Sequence, residues 1–247
     1  MVFGHRQLVA VRRPLILALE TAGVYGSVAV VDADRCLAEE TWASGRTHSQ
    51  GLLAAVDRLL RELDLGAADL AAVAVSQGPG SFTGLRIGLA TAKGLAMAAG
   101  IPVLGVPTLD ALAWQTTPTS LLVCPLLDAR KGEVFTARYR WQPDSAQLRR
   151  VSDYQALPPE ALAASLAEPV LLLGDGLVAY RQLLATALGD LATMVPLATV
   201  FPRASVVGWL GQRQLAAGET LDPAAGPLYV RPSEAEVNLG RSPAPGR

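Results

Sequence analysis

The residues of this chain whose types and spacing could do chemistry sit where apolar strands end in acids. Leu15 to Glu20 reads as a buried strand closing on a carboxylate, followed at once by the short turn Thr21-Ala22-Gly23. Leu121 to Asp128 repeats the arrangement, with a tight turn from Ala129 to Gly132 that carries Arg130 and Lys131. A Gly-bearing turn beside an acid can hold a phosphate on its backbone amides while the carboxylate orients a metal ion or a water. Gly174-Asp175-Gly176 is a third such turn, of a kind that fits near a nucleobase. Ordinary hairpin geometry accounts for these turns equally well, so Glu20, Thr21, Gly23 and Asp128 are candidates only.

Other chemistries lack their parts. No GxxxxGK[ST] run occurs, and Gly78-x-Gly80-x-x-Thr83 misses the last glycine of a dinucleotide fingerprint. The two histidines, His5 and His48, are too far apart to form an HxxxH or HExxH pair, which leaves no metal motif. Cys36 and Cys124 have no neighbouring histidine and no CxxC spacing, and no GxSxG elbow is present. Neither a nucleophile, a zinc site nor a disulfide framework is indicated, and a reducing cytosol is the simple inference.

The acid-ended strands need elements to hold them. The most specific is the run Gly78-Pro79-Gly80-Ser81-Phe82-Thr83-Gly84-Leu85-Arg86-Ile87-Gly88. Ala71 to Ser76 is a buried-strand segment, the Gly-Pro-Gly breaks it, and a helix follows to Ala99 with Ser81 or Thr83 able to cap it. Gly84, Gly88, Ala92 and Ala96 recur every fourth residue along that helix as a ridge almost without side chains. Each glycine costs about 1 kcal/mol of helix stability relative to alanine, so the ridge implies a close neighbour. Two neighbours fit: the chain's own sheet, or a helix of another chain.

Ser27 to Val31 and Cys36 to Trp42 join Leu15 to Glu20 as three antiparallel strands. Thr47-His48-Ser49-Gln50 has the capping-box pattern and opens a helix whose apolar residues are Leu52, Leu53, Val56, Leu59, Leu60 and Leu63. The result is a βββαβα unit. Its opening pattern of strand, acid, Gly turn and strand returns at Leu121 to Arg140, and this internal symmetry predicts two related lobes. Helices near 159–167, 176–188 and 203–217 alternate with strands near 169–173 and 227–231. We expect an N-terminal extension over 1–13, a first lobe over 14–107, and a second, smaller lobe over 108–231 whose last helix is able to pack back on the first. Residues 232–247, rich in Ser, Pro, Gly and Arg, read as a disordered tail.

Charge narrows the partners. The chain has 21 basic and 22 acidic residues, so binding nucleic acid unaided would require the charges to segregate onto one face. The arginines at 12, 13, 138, 140, 149 and 150 are scattered and read as solvated. No apolar tract reaches the ~20 residues of a membrane span, and residues 1–13 lack the layout of a secretory signal.

The run GPGSFTGLRIG at 78–88, with LALETA at 17–22, RTHSQ at 46–50 and LYVR at 228–231, resembles the TsaB (YeaZ) family over most of Pro14 to Arg231. The resemblance implies an α/β fold, the two-lobed actin-like, sugar kinase and Hsp70 (ASKHA) architecture with duplicated mixed β-sheet lobes. In that superfamily two hairpins face each other across a cleft and cradle phosphates. Glu20 departs from the Asp usual at the first hairpin. The implied function is that of a non-catalytic, cytoplasmic scaffold in the bacterial complex that adds threonylcarbamoyl to N6 of adenosine 37 in tRNA, making t6A. It would bind and activate the catalytic subunit TsaD, which carries a two-histidine metal motif that this chain cannot supply. The ATPase TsaE would join the larger complex, tRNA would be reached only through it, and no cofactor is expected on this chain.

By the same resemblance the partner interface would use Leu52, Leu53, Val56 and Leu60 on one helix and Gly84, Leu85, Gly88 and Ala92 on the next. The same face could pair two copies of the chain as a homodimer. On that reading Gly88→Leu would leave the fold intact and abolish pairing. The alternative is an ATP-binding kinase or ATPase of the same superfamily acting on a small molecule; a metallopeptidase is set aside by the histidine count.

Overall fold

The computed structural model describes residues 14–33, 35–43, 48–196 and 201–231. The expectations for residues 1–13 and 232–247, for the Thr47 cap, and for the His5 and His48 side chains lie outside the described residues.

Strands β1 (Leu15–Glu20), β2 (Tyr25–Asp32) and β3 (Arg35–Ala43) form an antiparallel meander. Helix α1 (His48–Glu62) leads to β4 (Leu70–Gly78), which pairs parallel to β1; α2 (Phe82–Ala99) leads to β5 (Val103–Pro107), parallel to β4. The order is β3-β2-β1-β4-β5. Strand periodicity then sorts the core into two faces. Val73 and Val75 meet Leu52, Ala55 and Val56 of α1 and Leu89, Ala92 and Ala96 of α2. Ala72 and Ala74 point the other way, toward Ala204 and Val207 of α6 (Ala204–Ala216), the last helix of the chain. Glycine lets that helix approach closely: a Cβ on Gly208 would lie 2.8 Å from Val31, and one on Gly211 would lie 2.7 Å from Ala74.

The second half repeats the plan with β6 (Leu122–Arg130), β7 (Glu133–Thr136), β10 (Gln155–Leu157), α4 (Pro159–Ala164), β11 (Val170–Leu173), α5 (Gly176–Leu188) and β12 (Ala192–Met194). Its order, β10-β7-β6-β11-β12, matches the first sheet strand for strand, with the same mixture of antiparallel and parallel pairs. Leu122, Cys124 and Leu126 face α4 and α5. Val123 and Leu127 face Leu109 and Leu112 of α3 (Thr108–Ala113), a helix that also places Ala111 in the first lobe's core. The one addition is a hairpin of β8 (Tyr139–Gln142) and β9 (Gln147–Arg150), with no counterpart in the first lobe. The architecture is the two-lobed one expected from the sequence.

Three elements differ from expectation. The strand expected over Glu133 to Arg140 stops at Thr136, because the Arg138 amide donates to Ser152 Oγ at 2.9 Å and leaves the ladder. The helix expected to 167 ends at Ala164, where Ser165 Oγ donates to the Leu162 carbonyl at 2.6 Å. Residues 227–231 form no strand. They belong to an extended strap in which the Leu228 amide donates to the Gln77 carbonyl at 2.7 Å. Among the described residues no helix is long and apolar enough to cross a membrane.

Candidate functional site: the first hairpin turn beneath α2

Glu20 ends β1 with its side chain fully buried. The Ala22 amide donates to Oε1 at 2.6 Å, the Gly23 amide also turns toward the carboxylate, and Ser76 Oγ donates to Oε2. Burial pushes the Glu20 carboxyl up to about 8, the two amides oppose that, and the charge of Asp175 from the second lobe adds to it. The turn itself is roofed by α2. Thr21 Oγ1 donates to the Gly84 carbonyl at 2.8 Å, and the Ser81 amide donates to the Ala22 carbonyl at 2.7 Å. Ser81 caps the helix, its Oγ accepting from the Gly84 amide at 3.3 Å.

This contact explains the glycines of the run. A Cβ on Gly80 would lie 2.6 Å from the Ala22 carbonyl oxygen, one on Gly84 would lie 2.0 Å from that of Thr21, and one on Gly88 would lie 2.2 Å from Thr21 Oγ1. No side chain fits at these positions while helix and turn keep their places.

The second lobe is built differently at the equivalent place. Asp128 accepts from the Arg130 amide at 2.8 Å and pairs with the Arg130 guanidinium at 3.1 Å. The Asp128 amide donates to Asp175 Oδ1 at 3.0 Å. Burial, with the neighbouring Asp128 charge, holds the Asp175 carboxyl above its ordinary range against the pull of the Asp128 amide and Arg130. Arg130, Lys131 and Gly132 turn through left-handed conformations with φ of 61°, 54° and 79°, exposed to solvent. Asp175 links the two strand ends, its charge reaching Glu20 while it accepts from the Asp128 amide; Glu20 and Thr21 themselves are buried. Among the described residues no three His, Cys, Asp or Glu side chains cluster closely enough to hold a metal ion.

The expected interface residues need correction. Leu52, Val56, Leu85 and Ala92 are buried core side chains, and Gly84 and Gly88 are sealed against Thr21. The bare ridge has met the chain's own hairpin and sheet, because two glycines there are what let α2 reach the turn. Leu60 is half-buried, and Leu53 alone of the eight is exposed, at 55%. The outer face of α2 instead shows Phe82, Arg86, Ala90, Gly94, Met97 and Ala98, with Met97 83% exposed and open space where a Gly94 side chain would stand. Arg86, Ala90, Gly94 and Ala98 form a second every-fourth-residue ridge, on the opposite side of the helix from the first. Both ridges were present in the sequence; the buried partners of one turn were not.

A duplicated pair of mixed sheets, each with helices outside it and an acid-ended strand at its centre, is the two-lobed architecture of actin, sugar kinases and Hsp70. The ROK hexokinase of Thermus thermophilus shares this fold at a TM-score of 0.50 and 12% identity, covering 83% of this chain and all of that one. Residues 40–239 match the family described as TsaD, tRNA N6-adenosine threonylcarbamoyltransferase. The tRNA threonylcarbamoyladenosine biosynthesis protein TsaB of Bacillus subtilis is 33% identical over 225 residues, 90% of this chain and 96% of that protein. YeaZ from Pseudomonas aeruginosa superposes with a TM-score of 0.74 at 30% identity, over 87% of this chain and 99% of that one. The chain belongs to the TsaB (YeaZ) family.

Two measurements check this site. Gly88→Leu, expected from sequence to spare the fold, should instead lower the unfolding free energy by about 1–3 kcal/mol through overpacking against Thr21 and Val75. A denaturant midpoint equal to wild type would refute the close approach. The second concerns Glu20. Because its folded pKa lies near 8 and its ordinary value near 4.5, the folded state keeps a proton that the unfolded chain releases between those values. Stability should therefore be highest below pH 4.5 as far as this group is concerned, and fall as pH rises toward 8. The slope is at most about 1.4 kcal/mol per pH unit. Glu20→Gln should flatten that dependence, and parallel stability curves for the two proteins across the window would contradict it.

Proposed function

We propose that this chain is a non-catalytic subunit of the machinery that attaches threonylcarbamoyl to N6 of adenosine 37 in tRNA, where it binds and activates a TsaD subunit. The observation that carries this reading is the fate of the first hairpin. Its Ala22 and Gly23 amides, which a kinase of this architecture would present to a phosphate, turn inward to the chain's own Glu20. The turn then lies roofed under α2. Membership of the TsaB family supports the same role.

The docking face we assign is the outer side of α1 and α2, with Leu53, Ala90, Gly94 and Met97 at its centre. Small residues at 90, 94 and 98 allow a partner helix to approach within the 8–10 Å axis spacing of ordinary helix packing. Two helices from each partner would make a four-helix contact. A second copy of this chain fits the same face, so a homodimer competes with the TsaD complex. TsaE and tRNA would be reached through that complex, in the cytoplasm.

Leu53→Asp combined with Gly94→Arg should abolish co-purification with TsaD without lowering the melting temperature, since both positions are solvent-facing and the second removes a glycine from a helix interior. Recovery of the complex at wild-type yield would remove the assignment.

The ATP-binding kinase reading keeps one observation in its favour. The exposed turn at Arg130 to Gly132 stands beside Asp128 and Asp175. Calorimetric titration of the chain with ATP and Mg²⁺ decides between them: no saturable heat is expected, and a saturable isotherm would favour the kinase.

A further inference from the structure

The structure assembles arginines that the sequence scatters. In the β8–β9 hairpin Arg140 lies directly opposite Arg149, and the Val151 amide donates to the Arg138 carbonyl at 2.7 Å, which continues the pairing by one step. Because facing residues share a side and alternate residues return to it, Arg138, Arg140 and Arg149 occupy the outer face of the hairpin. Tyr139, Trp141 and Leu148 occupy the inner face and close the second lobe's core. The outer face takes no part in that core: Arg138 and Arg140 lean toward Ser165 and Glu168 beyond α4, Arg138 with its Nε buried, and Arg149 stays exposed.

Cross-strand guanidinium groups with Cβ atoms about 5 Å apart repel each other. Their neutralisation within the chain is incomplete. Glu168 pairs with Arg140 while both side chains stay nearly half exposed, and Arg138 donates to the neutral Ser165 Oγ at 2.7 Å. Arg149 is exposed and pairs with no other described side chain. A chain with a net charge of −1 has thus gathered positive charge on one small surface. The hairpin that carries it is the element absent from the first lobe, so the duplicated fold does not require it.

We propose that this arginine face contacts the phosphodiester backbone of tRNA, an inference that rests on the function proposed above. Guanidinium forks match phosphate oxygens in bidentate geometry. The face lies on the second lobe, whereas the docking helices α1 and α2 lie on the first, so the two surfaces share no element. Three arginines supply charge and position, not sequence readout, which suits a subunit that holds a tRNA while another acts on one base.

The test is tRNA binding over a salt series, by the chain alone and by its reconstituted complex with TsaD, for wild type and Arg149→Gln. Arg149 makes no contact that the fold uses, so the variant should assemble and melt as wild type does. Its affinity for tRNA should fall several-fold, and the slope of log K against log salt should drop by about 0.7–0.9, the loss of one phosphate contact. Arg35→Gln, on β3 of the first lobe, should leave both unchanged. A complex that forms normally and binds tRNA with the wild-type slope in Arg149→Gln overturns the inference and leaves the proposed function standing. A chain that never assembles with TsaD but whose own tRNA binding loses that slope does the reverse. Weakened affinity for TsaD with unaltered tRNA binding would make the face a protein contact, and loss of binding only to anionic phosphatidylserine vesicles would make it a membrane contact; either result overturns the assignment to RNA.

Discussion

Everything in the first lobe depends on a helix being allowed to touch a turn. Gly80, Gly84 and Gly88 bring the backbone of α2 against Thr21 and Ala22 at separations no side chain would permit. The helix loses stability by carrying glycine in its interior, and the contact offsets it through the Thr21 to Gly84 hydrogen bond and the Ser81 to Ala22 bond. With the roof in place, water is excluded from Glu20, and its acidity follows from that exclusion more than from any neighbouring charge. The neutral carboxyl is then the form that burial favours, against the hairpin amides, which favour the ionised one. One packing constraint so accounts for the glycine spacing, the buried acid and the closed turn.

The second lobe shows what the same plan does without that constraint. Gly174 and Gly176 bring the start of α5 close to Leu126 of β6, as Gly84 and Gly88 bring α2 to the first turn. The contact falls on the strand and not on the turn, so Arg130 to Gly132 stays in solvent and Asp128 keeps its partner Arg130. Two copies of one topology have therefore diverged at the place where they face each other, one closed over an acid and one open beside two. The inserted β8–β9 hairpin is a second divergence, on the outside of the lobe.

Much of this was legible in the sequence, and the limits have physical reasons. The βββαβα unit and the two acid-ended strands follow from periodicity and from Gly and Pro punctuation. The partner of the glycine ridge does not. Helical spacing says that something approaches Gly84 and Gly88 but not what, because an own-chain turn and a foreign helix demand the same absence of Cβ. A helix with small residues at 84, 88, 90, 92, 94, 96 and 98 offers two bare ridges, and only the position of Thr21 in space decides which is inside. The arginines fail for a related reason: Arg140 and Arg149 become neighbours through strand register, which a two-strand pairing fixes and a linear list of charges does not show.

The strap after α6 bears on how stiff the assembly is. Leu221 donates its amide to the Val103 carbonyl of β5, Lys93 of α2 holds the Pro223 and Ala225 carbonyls at 2.7 Å, and Leu228 bonds Gln77 at the end of β4. Tyr229 stacks on Phe82 with ring centroids 5.4 Å apart and accepts from Arg86 Nε at 3.1 Å. Within two residues the chain is in the other lobe, where Val230 joins its core and Arg231 pairs with Glu133 at 2.7 Å. A segment anchored on both sides of a cleft opposes the hinge opening by which kinases of this architecture admit and close on their ligands. On the proposed role, with one helix face for a partner and one arginine face for a polyanion, that opposition is an advantage. The two surfaces keep a fixed relation, and less conformational freedom remains to be lost when both are engaged.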